Sequence, residues 1–498
     1  MRDVFGKYWV VAHVAVLAGF LAWVHGGTRA DHLDGVPWLS LAVLEVLLIL
    51  PPTRKNETLE AARERTWRAL LWDPLLYIGL ALSGYLLFQS LNGGCQLQFD
   101  PESGKWAYGA PPVRWGPFCV DPAEARQMLY WFPPALAAAL GVRHGMNRRG
   151  KLVLLRLLAA NGALLALFGL LQAASGTPRM FGITPLADRF FASFGYPNHA
   201  GAFFTLHAAA AAGLFAHALL TADQRRHAVW LGAALVLNLA GALCSLSRAA
   251  ILFSLALLVF GGLYAIRHAW RQVSRGARLK AAAIYVCILV FGLGALFFAA
   301  PGNPVLRKVQ TVNWARFGHQ TFGLRMPQIG AAWEIWKDYP WFGVGGWGYR
   351  QFVCLYLDEG QRAALPRGAA NVHNDILQFL TEHGAVGLGL MLGAVAVLLH
   401  SVGRRLRVAH VTHADGWVTE QWLLLRISPL TVFLLAGTAI TFLQCLIDLP
   451  FRSPAVLVSW TVFLACAPGF LPARPTPPPG SAAPVPPSAP AAAPPAAP

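Results

Sequence analysis

The chain of 498 residues is 56% hydrophobic but only 13% charged, and its net charge is +17. Ordinary soluble domains carry about 25% charged residues, so this composition excludes a cytosolic enzyme, a disordered chain and a secreted disulfide-rich protein. A mean hydropathy of +0.48 is typical of a helical protein that crosses a membrane many times.

Long apolar runs predict the membrane spans, because a helix needs about 20 apolar residues to cross a bilayer. Twelve such runs predict an all-α polytopic membrane protein with about 12 transmembrane helices and a long, partly helical periplasmic loop. In chain order the runs cover residues 8–25, 37–51, 70–91, 128–142, 152–175, 199–220, 228–246, 250–266, 281–299, 384–402, 427–446 and 453–470.

Lys and Arg are distributed unequally between the two sides of this predicted membrane. The loops on the N-terminal side carry 23 of them, and the other side carries 16, half of which lie in the long loop 300–383. Short basic loops stay in the cytoplasm. Both termini are therefore predicted to be cytoplasmic in a bacterial inner membrane, with loops 92–127, 176–198 and 300–383 facing the periplasm. Because the cations are divided among short loops, they favour membrane lipids and not nucleic acid as a partner.

The chain divides into a membrane domain, residues 1–470, and a tail, residues 471–498. The tail is rich in Pro and Ala and has no aromatic residue. It cannot bury enough apolar area to fold and is predicted to be a disordered cytoplasmic extension. In the outward loop 92–127, Cys95 and Cys119 could form a disulfide on the oxidising side of the membrane.

The outward loop 300–383 is too long for a plain connection and is predicted to carry the catalytic region. Its cations, which include Arg316 and Arg325, outnumber its carboxylates, and it contains several Trp residues. Trp favours the headgroup level of a bilayer. The stretch from Gly323 to Tyr339 predicts a helix, with Trp333 on its apolar side. A stabilising cap over the bundle would need no excess of cations, so we interpret the loop as a binding region.

His373 lies near the end of this loop, shortly before the apolar run that begins at residue 384. Asn371 or Asn374 could cap the helix that begins here. The imidazole would then lie at a helix N-terminus, which would keep it neutral and able to accept a proton. The alternative is an interfacial or capping histidine without a chemical role. Asn374 and Asp375 are supporting candidates beside it.

Two shorter patterns lie at the outer ends of predicted spans. Arg248 is held at the membrane edge, where an arginine either extends to the headgroups or binds a phosphate with two hydrogen bonds. Pro197 is predicted to occupy the first turn of its helix, and Asn198 could cap that helix. Arg189 lies shortly before it. For this second pattern, a helix start and a binding role are both open.

Two further patterns have structural interpretations. The residues from Gly343 to Gly348 match GxGxxG, but no βαβ unit surrounds them, so they predict a turn. Asp448 and Arg452 flank a short outward connection and are predicted to support the long loop as a pair.

Four short blocks occur in a fixed order along the chain. They are Phe-Gly-Tyr-Pro-Asn-His at residues 194–199, Ser-Leu-Ser-Arg-Ala at residues 245–249, the stretch from Arg325 to Gly346, and the stretch from His373 to Gly387. In this order they resemble the O-antigen ligase/polymerase superfamily, which comprises integral-membrane glycosyltransferases that use undecaprenyl-diphosphate-linked glycans. The resemblance covers roughly residues 150–455.

The resemblance implies a donor in the outer leaflet with its diphosphate at the membrane surface. It implies that Arg248 and Arg325 hold the diphosphate and that His373 takes the proton from an acceptor hydroxyl, which attacks the anomeric carbon with inversion. No metal or other cofactor is expected. Arg189 and Arg316 are secondary candidates for binding the diphosphate. Asp448 is a secondary candidate for a supporting carboxylate.

The leading prediction is an O-antigen ligase that transfers polysaccharide from undecaprenyl diphosphate to lipid A–core. A polymerase, or a relative that glycosylates a pilin, would use the same donor and the same chemistry with a different acceptor. A transporter or flippase would have broken helices or paired membrane charges in corresponding halves of the chain. The sequence does not divide into such halves.

Overall fold

A computed structural model describes residues 8–102, 104–177, 179–185, 190–272, 325–363, 365, 370–408 and 427–471. Several sequence predictions lie outside these residues: the span 281–299, the cations Arg189 and Arg316, the first part of the long loop, and the tail beyond residue 471.

The described chain is almost entirely helical. In chain order the helices are α1 Trp9–Trp23, α2 Gly35–Ile49, α3 Leu59–Leu71, α4 Pro74–Leu91, α5 Pro122–Arg126, α6 Phe132–Gly145, α7 Arg148–Ala174, α8 Pro197–Leu220, α9 Ala228–Cys244, α10 Arg248–Gln272, α11 Arg325–Asp338, α12 Gly348–Tyr356, α13 Glu359–Ala363, α14 Asp375–Val408, α15 Pro429–Gln444 and α16 Pro454–Cys466. Short 3-10 turns connect some of them, including Pro450–Arg452 before α16.

Two small antiparallel hairpins complete the described structure. Strands β1, Leu97–Asp100, and β2, Lys105–Tyr108, pair in the outward loop 92–127, and strands β3, Arg179–Met180, and β4, Thr184–Pro185, pair in the loop before α8. Sequence analysis did not predict these hairpins. Cys95 precedes β1, and both Cys95 and Cys119 are free and buried.

Five helical segments are long and apolar enough to cross a membrane, by length and composition. They are Pro74–Leu91, Arg148–Ala174, Pro197–Leu220, Asp223–Cys244 and Asp375–Leu406. Each of the eleven predicted runs within the described residues contains a helix. Five further apolar helices have only 10–17 residues, so the number of twelve spans is not confirmed. The prediction of a helical membrane protein with many apolar segments is confirmed.

Small residues let α8 pack closely in the middle of the bundle. A Cβ added at Gly201 would lie 2.5 Å from the Cβ of Ala250 on α10, and one added at Gly213 would lie 2.9 Å from the Cβ of Phe433 on α15. Membrane helices use such residues because they permit close backbone approach. The N-terminus of α8 is thereby held against the start of α10.

Helix α14 is kinked at Gly384, which has φ +62° and ψ −173°. The kink frees carbonyl groups, and residues 340–346, here called the clamp loop, satisfy them. Val344 N donates to Thr381 O at 3.1 Å, and Gly345 N donates to Glu382 O at 2.8 Å. The predicted turn in the GxGxxG sequence is therefore confirmed, and its backbone N–H groups serve the kinked helix.

The helix predicted between Gly323 and Tyr339 is confirmed as α11, but the side predicted to be apolar is wrong. Ala331, Ala332 and Ile335 are buried, whereas Trp333 is 44% exposed. Thr381 of α14 donates its hydroxyl to Ala332 O at 3.1 Å. Small residues face α14 because the two helices lie close together, and this leaves the large indole outside.

Candidate active site

The candidate site is built around the connector, residues 445–452, which links α15 to α16. Several of its carbonyl groups accept hydrogen bonds from other parts of the chain. Asp375 N donates to Cys445 O at 2.8 Å, and Asn374 Nδ2 donates to Leu446 O at 3.2 Å. Arg325 Nη1 donates to Ile447 O at 2.8 Å. The connector therefore brings the start of α11 and the start of α14 to one place.

His373 faces a carboxylate on the connector. Its Nδ1 lies 3.7 Å from Asp448 Oδ1, and the His373 side chain is 25% exposed while Asp448 is 5% exposed. This nitrogen is buried and has no hydrogen-bond partner among the described residues. At 3.7 Å the contact is longer than a hydrogen bond. Catalytic hydrogen bonds are often longer in the absence of substrate, so this separation is compatible with a catalytic pair.

The backbone at His373 is in the left-handed region, with φ +56°. A residue with a Cβ adopts this conformation at a cost of about 1–2 kcal/mol, and such strain clusters at functional sites. Immediately afterwards, Asn374 Oδ1 accepts a hydrogen bond from Leu377 N at 2.9 Å. The prediction that Asn371 or Asn374 caps this helix is confirmed for Asn374. His373 therefore precedes the helix on a short, fixed turn.

Asp448 is oriented by the first residues of α8. Tyr196 Oη donates to Asp448 Oδ1 at 3.2 Å, and Asn198 Nδ2 donates to the other oxygen of the same carboxylate. The Leu449 N–H also donates to Asp448 Oδ1, at 2.9 Å. Burial raises the pKa of Tyr196, and the Asp448 charge adds to the shift. The phenol therefore remains a donor at neutral pH.

Asn198 has a different role from the predicted one. Pro197 occupies the first turn of α8 as expected, but the side chain of Asn198 does not cap that helix. It donates to Asp448 and, at 2.9 Å, to Tyr196 Oη. Asn198 does not cap α8 because Tyr196 occupies the N-cap position, and Asn198 is the second residue of the helix.

The predicted pairing of Asp448 with Arg452 is wrong. Among the described residues Arg452 forms no ion pair with Asp448, and it donates through Nη2 to the buried carboxylate of Glu382 on α14. Its Nε lies 3.9 Å from Asp375 Oδ1. Asp375 itself is buried, and its Oδ2 accepts a hydrogen bond from Phe451 N at 2.7 Å. The two charged residues of the connector therefore face different neighbours.

The two principal predicted arginines lie near different parts of the site. Arg325 is the first residue of α11 and contacts the connector, as described above. Arg248 is the first residue of α10, and its side chain is exposed. Its neighbours Ser247 and Ala250 pack against Gly201. Gly201 is about one helical turn from Asn198. The start of α10 is therefore close to the residues that hold Asp448.

Two residues of the site, Tyr196 and Glu382, are not among those predicted from the sequence. Tyr196 occupies the variable position of the Phe-Gly-x-Pro-Asn-His block, so the motif gives no indication of its role. Glu382 lies just before the predicted apolar run 384–402, and a buried carboxylate at the start of a membrane helix needs a partner. That rule could have singled it out, but it would not have identified Arg452.

This arrangement can support proton transfer and anion binding. It contains an imidazole with an unbonded nitrogen, a carboxylate facing it, and two guanidinium groups on nearby helix starts. A metal centre needs several ligands, and no group of three or more His, Cys, Asp or Glu side chains suited to a metal occurs in the described part of the chain. A cavity of about 290 Å³ lies elsewhere, between Tyr108 on β2 and Trp341 in the clamp loop.

Comparison with known families identifies part of the chain. Residues 233–392 match the family described as O-antigen ligase, and this segment is about a third of the chain. No curated protein matches the sequence. The matched segment contains Arg248, Arg325 and His373 but ends before Asp448. The match supports the O-antigen ligase-like superfamily, a ligase-like glycosyltransferase role and a multi-pass membrane protein.

Proposed function

We propose that the protein is an O-antigen ligase, because residues 233–392 match the O-antigen ligase family. It transfers polysaccharide from undecaprenyl diphosphate to lipid A–core. The reaction takes place on the periplasmic side of the bacterial inner membrane, and both termini are cytoplasmic. The observation that carries this proposal is the contact between His373 and Asp448, which the connector forms at the outer ends of α8 and α14.

In the proposed reaction, His373 acts as the general base. It takes the proton of an acceptor hydroxyl, whose oxygen forms a new bond to the anomeric carbon of the donor glycan. The bond between that carbon and the diphosphate oxygen breaks, and undecaprenyl diphosphate leaves with the bonding electrons. Attack from the opposite face inverts the anomeric configuration. Asp448 orients the imidazole and stabilises its protonated form, and a general base of this kind contributes about 10²–10⁴-fold.

The arginines have the complementary role of binding the leaving group. Arg325 and Arg248 offer planar guanidinium groups, which bind phosphate oxygens with two parallel hydrogen bonds. Their positive charge stabilises the negative charge that develops on the diphosphate in the transition state. Arg325 already donates to a connector carbonyl, so its position relative to His373 is set by the same segment. Arg189 and Arg316 are further candidates for this role.

The proposal is tested with purified protein in detergent, undecaprenyl-diphosphate-linked O-polysaccharide and lipid A–core. We expect a ladder of glycosylated lipid A–core on a gel, and its loss in His373→Ala. The matched control is His32→Ala, which removes an exposed histidine with a 47% exposed side chain and should keep activity. Transfer that survives in folded His373→Ala would refute the general base, and product formed only with a second lipid-linked glycan would identify a polymerase.

A further inference from the structure

A buried cation lies behind the candidate site. Arg452 has a side chain that is only 6% exposed, and its Nη2 donates to Glu382, which is fully buried. Its Nε lies 3.9 Å from Asp375 Oδ1. One guanidinium therefore joins the connector to α14 through two carboxylates that are about two turns apart on the same helix.

The flat face of this guanidinium is also held in place. Its central carbon lies 4.6 Å from the centre of the Trp347 ring, and that of Arg350 lies 3.6 Å from the same ring. Trp347 precedes α12 with φ +61°, and its Nε1 donates to Gln127 Oε1 at 3.1 Å. Stacking on an indole fixes the plane of a guanidinium group. A lysine ammonium has no such plane and cannot replace this contact.

The two segments joined by Arg452 carry the proposed catalytic pair. His373 lies two residues before Asp375, and Asp448 lies four residues before Arg452. A shift of the connector relative to α14 would change the distance between His373 and Asp448. We infer that Arg452, paired with Glu382, is a positioning residue that sets this distance. The inference rests on the proposed function and concerns residues that do not touch the substrate.

The test replaces Arg452 by lysine and Glu382 by glutamine. Arg452→Lys keeps the charge but loses the planar fork, and Glu382→Gln keeps the shape but loses the charge. We expect kcat to fall about 10²-fold in each, since small misplacements of catalytic groups have effects of this size. The KM for the lipid-linked donor should stay within about twofold of the wild-type value, because the donor-binding arginines are untouched. Thermal unfolding in detergent gives the folded fraction, so kcat is expressed per folded protein.

Arg350→Lys is the matched control. Arg350 stacks on the same indole, but among the described residues it forms no ion pair with a carboxylate of α14. We expect its kcat to stay within about twofold of wild type. Equal losses in Arg350→Lys and Arg452→Lys, a rise in KM without a change in kcat, or wild-type kcat in Arg452→Lys would each overturn the inference. If Arg452→Lys does not fold, the kcat of Glu382→Gln alone tests the inference. If the wild-type protein transfers no glycan, the proposed function is overturned as well. If the wild-type protein is active and the Arg452 variants do not behave as expected, only the inference about Arg452 is overturned.

Discussion

At the scale of single residues, Asp448 connects parts of the chain that are far apart in sequence. Tyr196, which immediately precedes α8, and Asn198 in its first turn donate to this carboxylate, and His373 lies 3.7 Å from it. Such a carboxylate fixes the orientation of an imidazole and favours its protonated form. Its effect depends on the neutral donors that hold it, and these can be removed one at a time.

Tyr196→Phe removes one of those donors and leaves the shape of the side chain unchanged. A hydrogen bond to a charged group contributes about 1.5–3 kcal/mol. We expect kcat for glycan transfer to fall at least about tenfold, because the Asp448 carboxylate loses its orientation. The measurement is the steady-state rate of transfer to lipid A–core.

Tyr77→Phe is the control for Tyr196→Phe. The Tyr77 hydroxyl, in the first turn of α4, donates to the carbonyl of Leu71 at the end of α3 at 2.8 Å, and its ring is exposed. It should transfer glycan at the wild-type rate. If the two variants have the same activity, Tyr196 does not act through Asp448.

How far the site is predictable from sequence differs from residue to residue. His373, Arg325 and Arg248 lie in short patterns that can be identified in the chain alone. The partner of His373 cannot be identified in this way, because Asp448 is 75 residues away and is placed by the end of α15. The charge pattern predicts the wrong partner for Asp448, because Arg452 is its nearest cation in sequence. In the structure Arg452 is buried and pairs with Glu382 instead.

At the scale of helices, the apolar runs predict where helices form, but not how they bend. Gly384 is the first residue of a long apolar run, and the kink there depends on the clamp loop, whose carbonyl and N–H groups lie about 40 residues earlier in the chain. Tyr85 on α4 also donates to His383 O, at 2.8 Å. The bent helix is therefore a tertiary feature, and it sets the direction in which the start of α14 presents His373.

Gly384→Ala tests the kink. A Cβ at this position would lie 2.2 Å from Trp341 O, and the positive φ disfavours any residue with a side chain. We expect the free energy of unfolding to fall by about 3 kcal/mol or more. Thermal or denaturant unfolding of the purified protein in detergent is the measurement.

Gly389→Ala provides the comparison on the same helix. No atom lies within 4 Å of an added Cβ at Gly389, and Ala is the better helix former. Its free energy of unfolding should be the same as that of the wild type or higher by up to about 1 kcal/mol. Equal stability of Gly384→Ala and the wild type would show that the kink does not depend on this glycine.

At the scale of the whole molecule, the proposed topology places α12 outside the membrane on the periplasmic side. Cys354 on α12 is exposed, whereas Cys95, Cys119, Cys445 and Cys466 are buried. We expect a membrane-impermeant maleimide to label the protein in intact spheroplasts, and Cys354→Ser to abolish most of this labelling. Labelling that requires lysis of the spheroplasts would reverse the proposed orientation.

A second polar cluster lies at the opposite end of α14, about 40 Å along the helix axis from Asp375 by its length. Asp73, at the start of α4, is within 2.7 Å of both Arg143 and His144 at the end of α6. Arg143 also donates to Ser401 on α14. Burial alone would raise the pKa of Asp73, but hydrogen bonds from His144 and Arg143 lower it to about 2. The cluster ties three helices together at the end predicted to be cytoplasmic.

This cluster predicts a stability that depends on acid pH. The unfolded chain has an Asp pKa of about 3.9, above the folded value, so the ionised carboxylate stabilises the folded protein fully above pH 4 or so. The stabilisation is lost as the pH falls through about 2. At pH 7, Asp73→Asn should lower the free energy of unfolding by about 3 kcal/mol, because it leaves the mostly buried Arg143 guanidinium without its carboxylate partner. The difference between wild type and variant should shrink as the pH falls from 4 towards 2, and a difference that stays constant across this range would show that Asp73 does not stabilise the fold through its charge.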